Sequence, residues 1–175
     1  MLAVPAIAWR GGFVYRVLMI GGGLGLALGV LAWIDSGLLL TGVVVLVIVG
    51  LTYGIWMARR MARLWPAAAQ LSGAERVAVV RAARRGERLP EERLVHAAND
   101  YRVAMHTAAA TSKELRWLLM VLLVVAAGTA AWDTRYGSFG NAVVSAIYLM
   151  LLVAEVLWWP KRQAQLLTNV DRACG

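Results

Sequence analysis

The sequence predicts an all-α membrane protein with four transmembrane helices, arranged as two hairpins, and a cytoplasmic helical hairpin between the second and third spans. Hydrophobic residues make up 61% of the 175 residues, charged residues make up only 16%, and the mean hydropathy is +0.65. These values lie outside the range of soluble globular proteins. The chain also contains four apolar windows, each close to the ~20 residues that a helix needs to cross the hydrocarbon layer.

The four apolar windows cover residues 13–34, 37–57, 117–132 and 140–159, and only Arg16 and Glu155 are charged within them. A cleaved signal peptide is the alternative interpretation of the first window. Its apolar run is too long for that, however, and no small-residue cleavage site precedes the second window. The predicted units are a first transmembrane hairpin (13–57), a cytoplasmic helical insert (58–116), a second transmembrane hairpin (117–159) and a cytoplasmic tail (160–175).

The basic residues predict the orientation of the spans. If both termini and the insert face the cytoplasm, all 18 Lys and Arg residues except Arg135 lie on that side, as the positive-inside rule requires. The sequence therefore predicts a multi-pass protein of the cytoplasmic (inner) membrane with both termini in the cytoplasm and the lipid bilayer as its surroundings. The formal charge of +8 then follows from topology and does not require a nucleic-acid partner.

Glycines recur at every fourth position in the first span, at Gly21, Gly25 and Gly29, and the same spacing returns in the second span at Gly50 and Gly54. Such G-x-x-x-G strips allow two membrane helices to approach to backbone contact. The strips do not match the G-x-G-x-x-G fingerprint of dinucleotide-binding proteins. We expect these five glycines to pack against another helix, either within the bundle or in a partner membrane protein.

The insert begins with strong helix signals. Ser72 and Glu75 fit a capping box, and Gly86 can supply the left-handed residue that ends the helix. At 100° per residue, basic side chains share one face of this helix: Arg81, Arg84, Arg85 and, if the helix extends that far, Arg88. The opposite face carries only Ala and Val, which suit packing on a neighbouring helix better than insertion into a membrane. We therefore expect the Arg face to meet water, anionic lipid headgroups or an acidic partner protein.

A second insert helix is predicted to begin at Pro90, because proline and acidic residues are typical of a first helical turn. It carries an apolar stripe with alternating steps of four and three residues, formed by Leu94, Ala98, Tyr101 and Met105. A stripe of this kind needs a partner surface. The first insert helix can supply part of that surface, and another copy of the chain or another protein is expected to supply the rest.

Glu155 is the one acidic residue inside a predicted span, which makes it a candidate for proton or ion coupling. The alternative is an interfacial carboxylate, because the residue lies about one turn from the basic end of its span.

His96 and His106 are too far apart along a helix, at ~15 Å, to share a metal ion. We recognise no catalytic residue, metal site or cofactor site in the sequence, so an enzyme is not predicted.

The insert reads LSGAERVAVVRAARRGERLPEERL from Leu71 to Leu94. This pattern of Leu-Ser, Glu-Arg, a Val- and Arg-rich helix ending in Arg-Arg-Gly-Glu, and then Pro resembles one in uncharacterised small multi-pass membrane proteins of actinobacteria. The resemblance implies an actinobacterial inner-membrane protein and carries no catalytic residue with it.

Two functions are compatible with these features. The first is an accessory, scaffolding or regulatory subunit of a membrane complex, in which the glycine strips bind membrane helices and the insert binds a partner or anionic lipid. The second is a small self-assembled transporter or channel that uses Glu155. A membrane-tethered nucleic-acid binder is disfavoured, because an insert fixed to the bilayer at both ends is a poor match to a DNA-reading helical unit.

Overall fold

The chain folds into helices joined by short turns. The computed structural model describes residues 4–89, 91–114 and 116–174. About 90% of the chain is helical, and the described residues contain no strand. The long helices are α1 (Phe13–Ser36), α2 (Leu39–Leu64), α3 (Gly73–Arg85), α4 (Glu92–Glu114), α5 (Arg116–Tyr136) and α6 (Phe139–Cys174). Two 3-10 turns, Ala6–Trp9 and Pro66–Gln70, precede α1 and follow α2, and a π-helical turn, Val17–Gly21, lies within α1.

Four of these helices, α1, α2, α5 and α6, are long and apolar enough to cross a membrane, as the sequence predicted. Only a small share of their most apolar windows is buried within the chain: 22% in α1, 17% in α2, none in α5 and 6% in α6. Their apolar side chains therefore point mainly outward, which is the arrangement expected of helices surrounded by lipid.

The spans pack in sequence-adjacent pairs. Helix α1 lies along α2, and α5 lies along α6. Where α5 and α6 meet, the Ser145 hydroxyl contacts the Asp133 carboxylate. The two pairs also approach each other near one end, where a Cβ on Gly140 would lie 3.0 Å from the Ile34 carbonyl oxygen.

The main hydrophobic core lies at the other, arginine-rich end of the spans. The large side chains at its centre are Trp9, Trp65 and Tyr101, each at most 1% exposed. Their rings pack edge to face, with centroids 5.0 Å apart for Trp9 and Trp65 and 4.9 Å apart for Trp65 and Tyr101. We call this unit the juxtamembrane domain; it is built from Ala6–Trp9, the last turns of α2, Pro66–Gln70, α3, α4 and the second half of α6.

The segment from residue 160 onward, which was expected to be a cytoplasmic tail, is the continuation of α6. Pro160 lies inside this helix, although proline removes one backbone hydrogen bond. Beyond it, Leu166 and Val170 are buried in the juxtamembrane domain, and burial of these side chains stabilises the helix past the proline. Helix α6 is therefore both the last span and a wall of the domain.

The local helix signals of the insert are present as predicted. Ser72 and Glu75 form both hydrogen bonds of a capping box at the start of α3, and Gly86 ends that helix with a φ of 75°. The prediction that the next helix begins at Pro90 falls on a residue outside those described. The same holds for the junction between α4 and α5 at residue 115.

Candidate functional site

The five predicted glycines lie at the interface between α1 and α2. A Cβ on Gly25 would lie 2.6 Å from the Leu46 carbonyl oxygen and 2.9 Å from the Gly50 Cα, and a Cβ on Gly54 would lie 2.7 Å from the Val17 carbonyl oxygen. Gly21 meets Gly50 and Gly54, and Gly29 meets Gly42, in the same way. The strips thus bring two helices of one chain into backbone contact, so this surface is not open to a partner helix.

The apolar stripe on α4 is buried inside the juxtamembrane domain. Leu94 is 6% exposed, Ala98 is 1% exposed, and Tyr101 and Met105 are fully buried. The expectation that another copy or another protein completes this surface is corrected, because the second half of α6 packs against both α3 and α4. His106 and Asp171 join α4 to α6, with a distance of 3.0 Å between Nε2 and Oδ1.

The predicted Arg face of α3 separates into an exposed part and a buried part. Arg81, Arg85 and Arg88 are exposed, and Arg85 lies 3.7 Å from Glu87. Arg84 instead turns inward, and its Nη2 donates a hydrogen bond of 2.6 Å to the Val4 carbonyl oxygen. The predicted four-residue face is therefore corrected: the N-terminal segment covers α3 at Arg84, and Arg88 lies beyond the end of the helix at Arg85, so Arg81 and Arg85 are the exposed arginines of that face on α3.

Glu155 lies on an exposed face of α6. Its carboxylate is close enough to the Tyr53 hydroxyl of α2 to interact with it electrostatically. The described residues include no group of three or more His, Cys, Asp or Glu side chains that could hold a metal ion. Glu155 is thus an isolated carboxylate on the side of the span that is directed toward α2.

The structure also reveals a basic site that the sequence interpretation missed. The Arg16 guanidinium lies over the Trp9 ring, 4.8 Å from its centroid, and the side chain is only 7% exposed. A cation over an indole face is attracted by the ring quadrupole. In the sequence Arg16 was notable only as a charge within a predicted span, and the sequence position of Trp9 gave no sign of this contact.

Arg76 of α3 belongs to the same site. Its Nε donates a hydrogen bond of 2.7 Å to the Ala68 carbonyl oxygen, and its Nη1 lies 3.5 Å from the Gly11 carbonyl oxygen. Arg16 and Arg76 are close enough for their positive charges to interact. Because sixty residues separate them in sequence, only the folded chain brings them together.

Between these two side chains is a cavity of about 180 Å³ at the junction of α1, α2 and the juxtamembrane domain. We call it the arginine pocket; among its lining residues are Phe13, Arg16, Ala62, Trp65 and Arg76. No acidic side chain is present among the described residues that line it. The arrangement is therefore strongly electropositive and suited to an anion.

A larger cavity of about 740 Å³ adjoins the arginine pocket along the outer side of α2. We call it the apolar groove; it is lined by Phe13, Thr52, Ile55, Trp56, Arg59, Ala62 and Arg63. The two cavities share Phe13 and Ala62. The groove is apolar toward the middle of the span and basic toward the juxtamembrane domain, as expected of a surface that crosses from hydrocarbon to headgroups.

Comparison of the chain with protein-family models, with curated proteins and with solved structures finds no match.

Proposed function

We propose that the chain is an integral inner-membrane protein that acts as an accessory, scaffolding or regulatory subunit of a membrane complex. The spans anchor it, and the juxtamembrane domain presents a recognition surface to an acidic region of a partner protein. Both termini and this domain lie in the cytoplasm, in the orientation that the distribution of basic residues favours.

One observation carries this proposal: Arg81 and Arg85 are exposed on α3 and Arg88 is exposed just beyond its end, while Val79, Val80 and Ala83 of the same helix are buried. One face of the helix is thus packed in the juxtamembrane domain, and the opposite face is exposed to a potential partner. A rigid element that presents several guanidinium groups is well suited to carboxylates, because each group offers a planar set of donors. A surface of this kind gives specificity and a fast encounter with an oppositely charged partner.

The test is affinity purification of the tagged protein, expressed at its native level and extracted in a mild detergent, with identification and quantification of co-purifying chains. We expect a partner in stoichiometric amount. Replacing Arg81, Arg85 and Arg88 by Glu is expected to remove it. A matched control replaces three other exposed arginines, Arg135, Arg162 and Arg172, by Glu and is expected to retain the partner.

Recovery of the same partner with both triple variants would contradict the proposal. Purification of a homogeneous small oligomer containing only this chain and lipid would also contradict it. Arg84 stays unchanged in both variants, because it holds the N-terminal segment and its replacement would disturb the fold.

A small self-assembled transporter or channel is the second candidate, and Glu155 is the observation that favours it. An exposed carboxylate within a span is costly, so its presence there points to a function, and this one is close enough to Tyr53 of the neighbouring pair of spans to interact with it electrostatically. Replacement of Glu155 by Gln is expected to abolish proton-coupled flux in proteoliposomes without changing assembly. If Gln, Ala and Leu at this position all leave flux unchanged, the transporter function fails.

A further inference from the structure

The Arg16 guanidinium is buried without an anionic partner among the described residues. The residue is only 7% exposed, and its buried Nε has no hydrogen-bond partner in the described part of the chain. The Trp9 ring covers one face of the guanidinium but accepts no hydrogen bond from Nε. A buried charge without a hydrogen-bonded counter-charge is unfavourable. A ligand that brings a negative charge and acceptor oxygens into the arginine pocket would remove this cost.

The second guanidinium makes the preference for an anion stronger. Arg76 is fixed at its position by the carbonyl groups of Ala68 and Gly11, and its charge repels that of Arg16. An anion between the two would replace this repulsion by two attractions. Arginine pairs are particularly suited to phosphate oxygens, because the planar guanidinium can donate two parallel hydrogen bonds.

The position of the arginine pocket identifies the source of the phosphate. The pocket and the groove lie beside the first turn of α1 and the last turns of α2, where the exposed Trp56 indole marks the zone of lipid headgroups. At about 180 Å³ it is smaller than the ~300–1,000 Å³ of ordinary ligand pockets, so it admits a headgroup and not a complete lipid. The apolar groove that adjoins it offers the space that an acyl chain needs.

The charge around the groove selects among lipids. Arg59 and Arg63 line the groove at its basic end, and no acidic side chain is present among the described residues that line it. Together with Arg16 and Arg76 of the arginine pocket, they place four guanidinium groups along the two adjoining cavities. The ammonium group of a zwitterionic lipid would be repelled there, whereas a headgroup with a net negative charge would not.

We propose that the arginine pocket and the apolar groove together bind one anionic glycerophospholipid. Its phosphodiester lies between Arg16 and Arg76, and one acyl chain lies in the groove against Ile55 and Trp56. The bound lipid fixes α1 and α2 to the juxtamembrane domain. This site is independent of the proposed function, because an accessory subunit and a transporter would both contain it.

The experiment is native mass spectrometry of the full-length protein in detergent, titrated with dioleoylphosphatidylglycerol or with dioleoylphosphatidylcholine. We expect one phosphatidylglycerol molecule to remain bound under conditions that remove additional lipids, with an apparent affinity at least about tenfold higher than that of phosphatidylcholine. Thermal unfolding with each lipid is expected to show stabilisation by phosphatidylglycerol only. Inorganic phosphate is the third arm of both measurements.

Two kinds of variant locate the site. The double replacement Arg16→Gln and Arg76→Gln is expected to reduce the affinity for phosphatidylglycerol at least about tenfold. Its matched control, Arg135→Gln with Arg172→Gln, removes the same charge from exposed positions outside both cavities and is expected to keep the affinity. Ala62→Phe retains every arginine and fills the shared wall of the two cavities from an exposed position, so it is expected to weaken binding without destabilising the core.

Three results would overturn the proposal. The first is equal affinity for phosphatidylglycerol in the Arg16/Arg76 variant and its control. The second is unchanged affinity in Ala62→Phe, which still tests the site if the Arg16/Arg76 variant does not fold. The third is stabilisation by inorganic phosphate equal to that by phosphatidylglycerol, because it would show a site for a free anion instead of a lipid.

Discussion

The indole Nε1 of Trp65 donates a hydrogen bond of 3.1 Å to the Ala97 carbonyl oxygen. This buried contact connects the end of α2 to the second turn of α4, thirty-two residues further along the chain. It joins a membrane span directly to the juxtamembrane domain. The large Trp9 and Tyr101 rings pack against this indole and against each other, so the contact lies at the centre of the main core.

Replacing Trp65 by Phe is expected to destabilise the protein. The substitution removes the indole N–H and with it a buried hydrogen bond, which costs roughly 0.5–1.5 kcal/mol, and it leaves a smaller ring at the centre of the core. The measurement is the midpoint of thermal unfolding in detergent. Trp158→Phe is the control, because Trp158 is 63% exposed and its replacement is expected to change the stability by less than ~0.5 kcal/mol. Equal midpoints for the two variants would contradict the central role of this contact.

Two neighbouring glycines of α1 are expected to respond to alanine with opposite signs. The added Cβ of Gly25→Ala would lie too close to the backbone of α2, so the helices must separate, at a cost of about 1–3 kcal/mol. A Cβ on Gly23 meets nothing within 4 Å, and alanine is the better helix former, so Gly23→Ala is expected to be neutral or stabilising. Thermal unfolding of both variants checks this. A loss of stability in the Gly23 variant alone would reverse the assignment of the packing face.

The features that could be predicted from the sequence are those that depend on residues close together along the chain. The four apolar helices follow from length and composition. The capping box at Ser72 and Glu75 needs only a four-residue pattern, and the glycine spacing needs only one helical turn. The sequence could not decide whether the glycines of α1 meet α2 or a partner, because both interfaces require the same pattern.

The features that could not be predicted are contacts between distant segments. Helical geometry places Arg84 with Arg81, Arg85 and Arg88, but the short N-terminal segment folds over α3 and accepts a hydrogen bond from Arg84. No periodicity marks that segment as part of a core. The pairing of Arg16 with Arg76 depends in turn on how the N-terminal segment and α3 meet.

The capping box predicts a loss of stability in acid. Hydrogen bonds from the backbone and side chain of Ser72, assisted by the nearby Arg93 charge, hold the pKa of Glu75 below its usual value. A carboxylate with a depressed pKa in the folded state stabilises the protein above its ordinary pKa of about 4.3, and this contribution is lost as the pH falls through the folded-state value. Glu75→Gln keeps the shape and removes the charge. The wild type is expected to unfold at a higher temperature than this variant at pH 7, and the difference is expected to shrink progressively below about pH 4.3; a difference independent of pH would contradict the assignment.

Tyr101 predicts the opposite behaviour in alkali. Its side chain is fully buried between Trp65 and the Arg84 guanidinium; burial raises the pKa of the Tyr101 phenol, and the positive charge of Arg84 offsets only part of that increase. A raised pKa means that the folded state favours the neutral phenol. The resulting stabilisation is complete below the ordinary tyrosine pKa of about 10, and it is lost as the pH rises from there through the folded-state pKa.

Replacing Tyr101 by Phe separates the two contributions of this ring. The variant keeps the edge-to-face packing and removes both the ionisable group and a buried hydroxyl that makes no hydrogen bond among the described residues, so at pH 7 we expect its stability to equal or exceed that of the wild type. Above about pH 10 the unfolding midpoint of the wild type is expected to fall more steeply than that of Tyr101→Phe, so that the two curves separate further. A ring enclosed by Trp65 and Trp9 is shielded from water, which disfavours the charged phenolate in the folded protein. Parallel curves throughout this range would contradict this, because they would show that the phenol ionises as easily in the folded protein as in the unfolded chain.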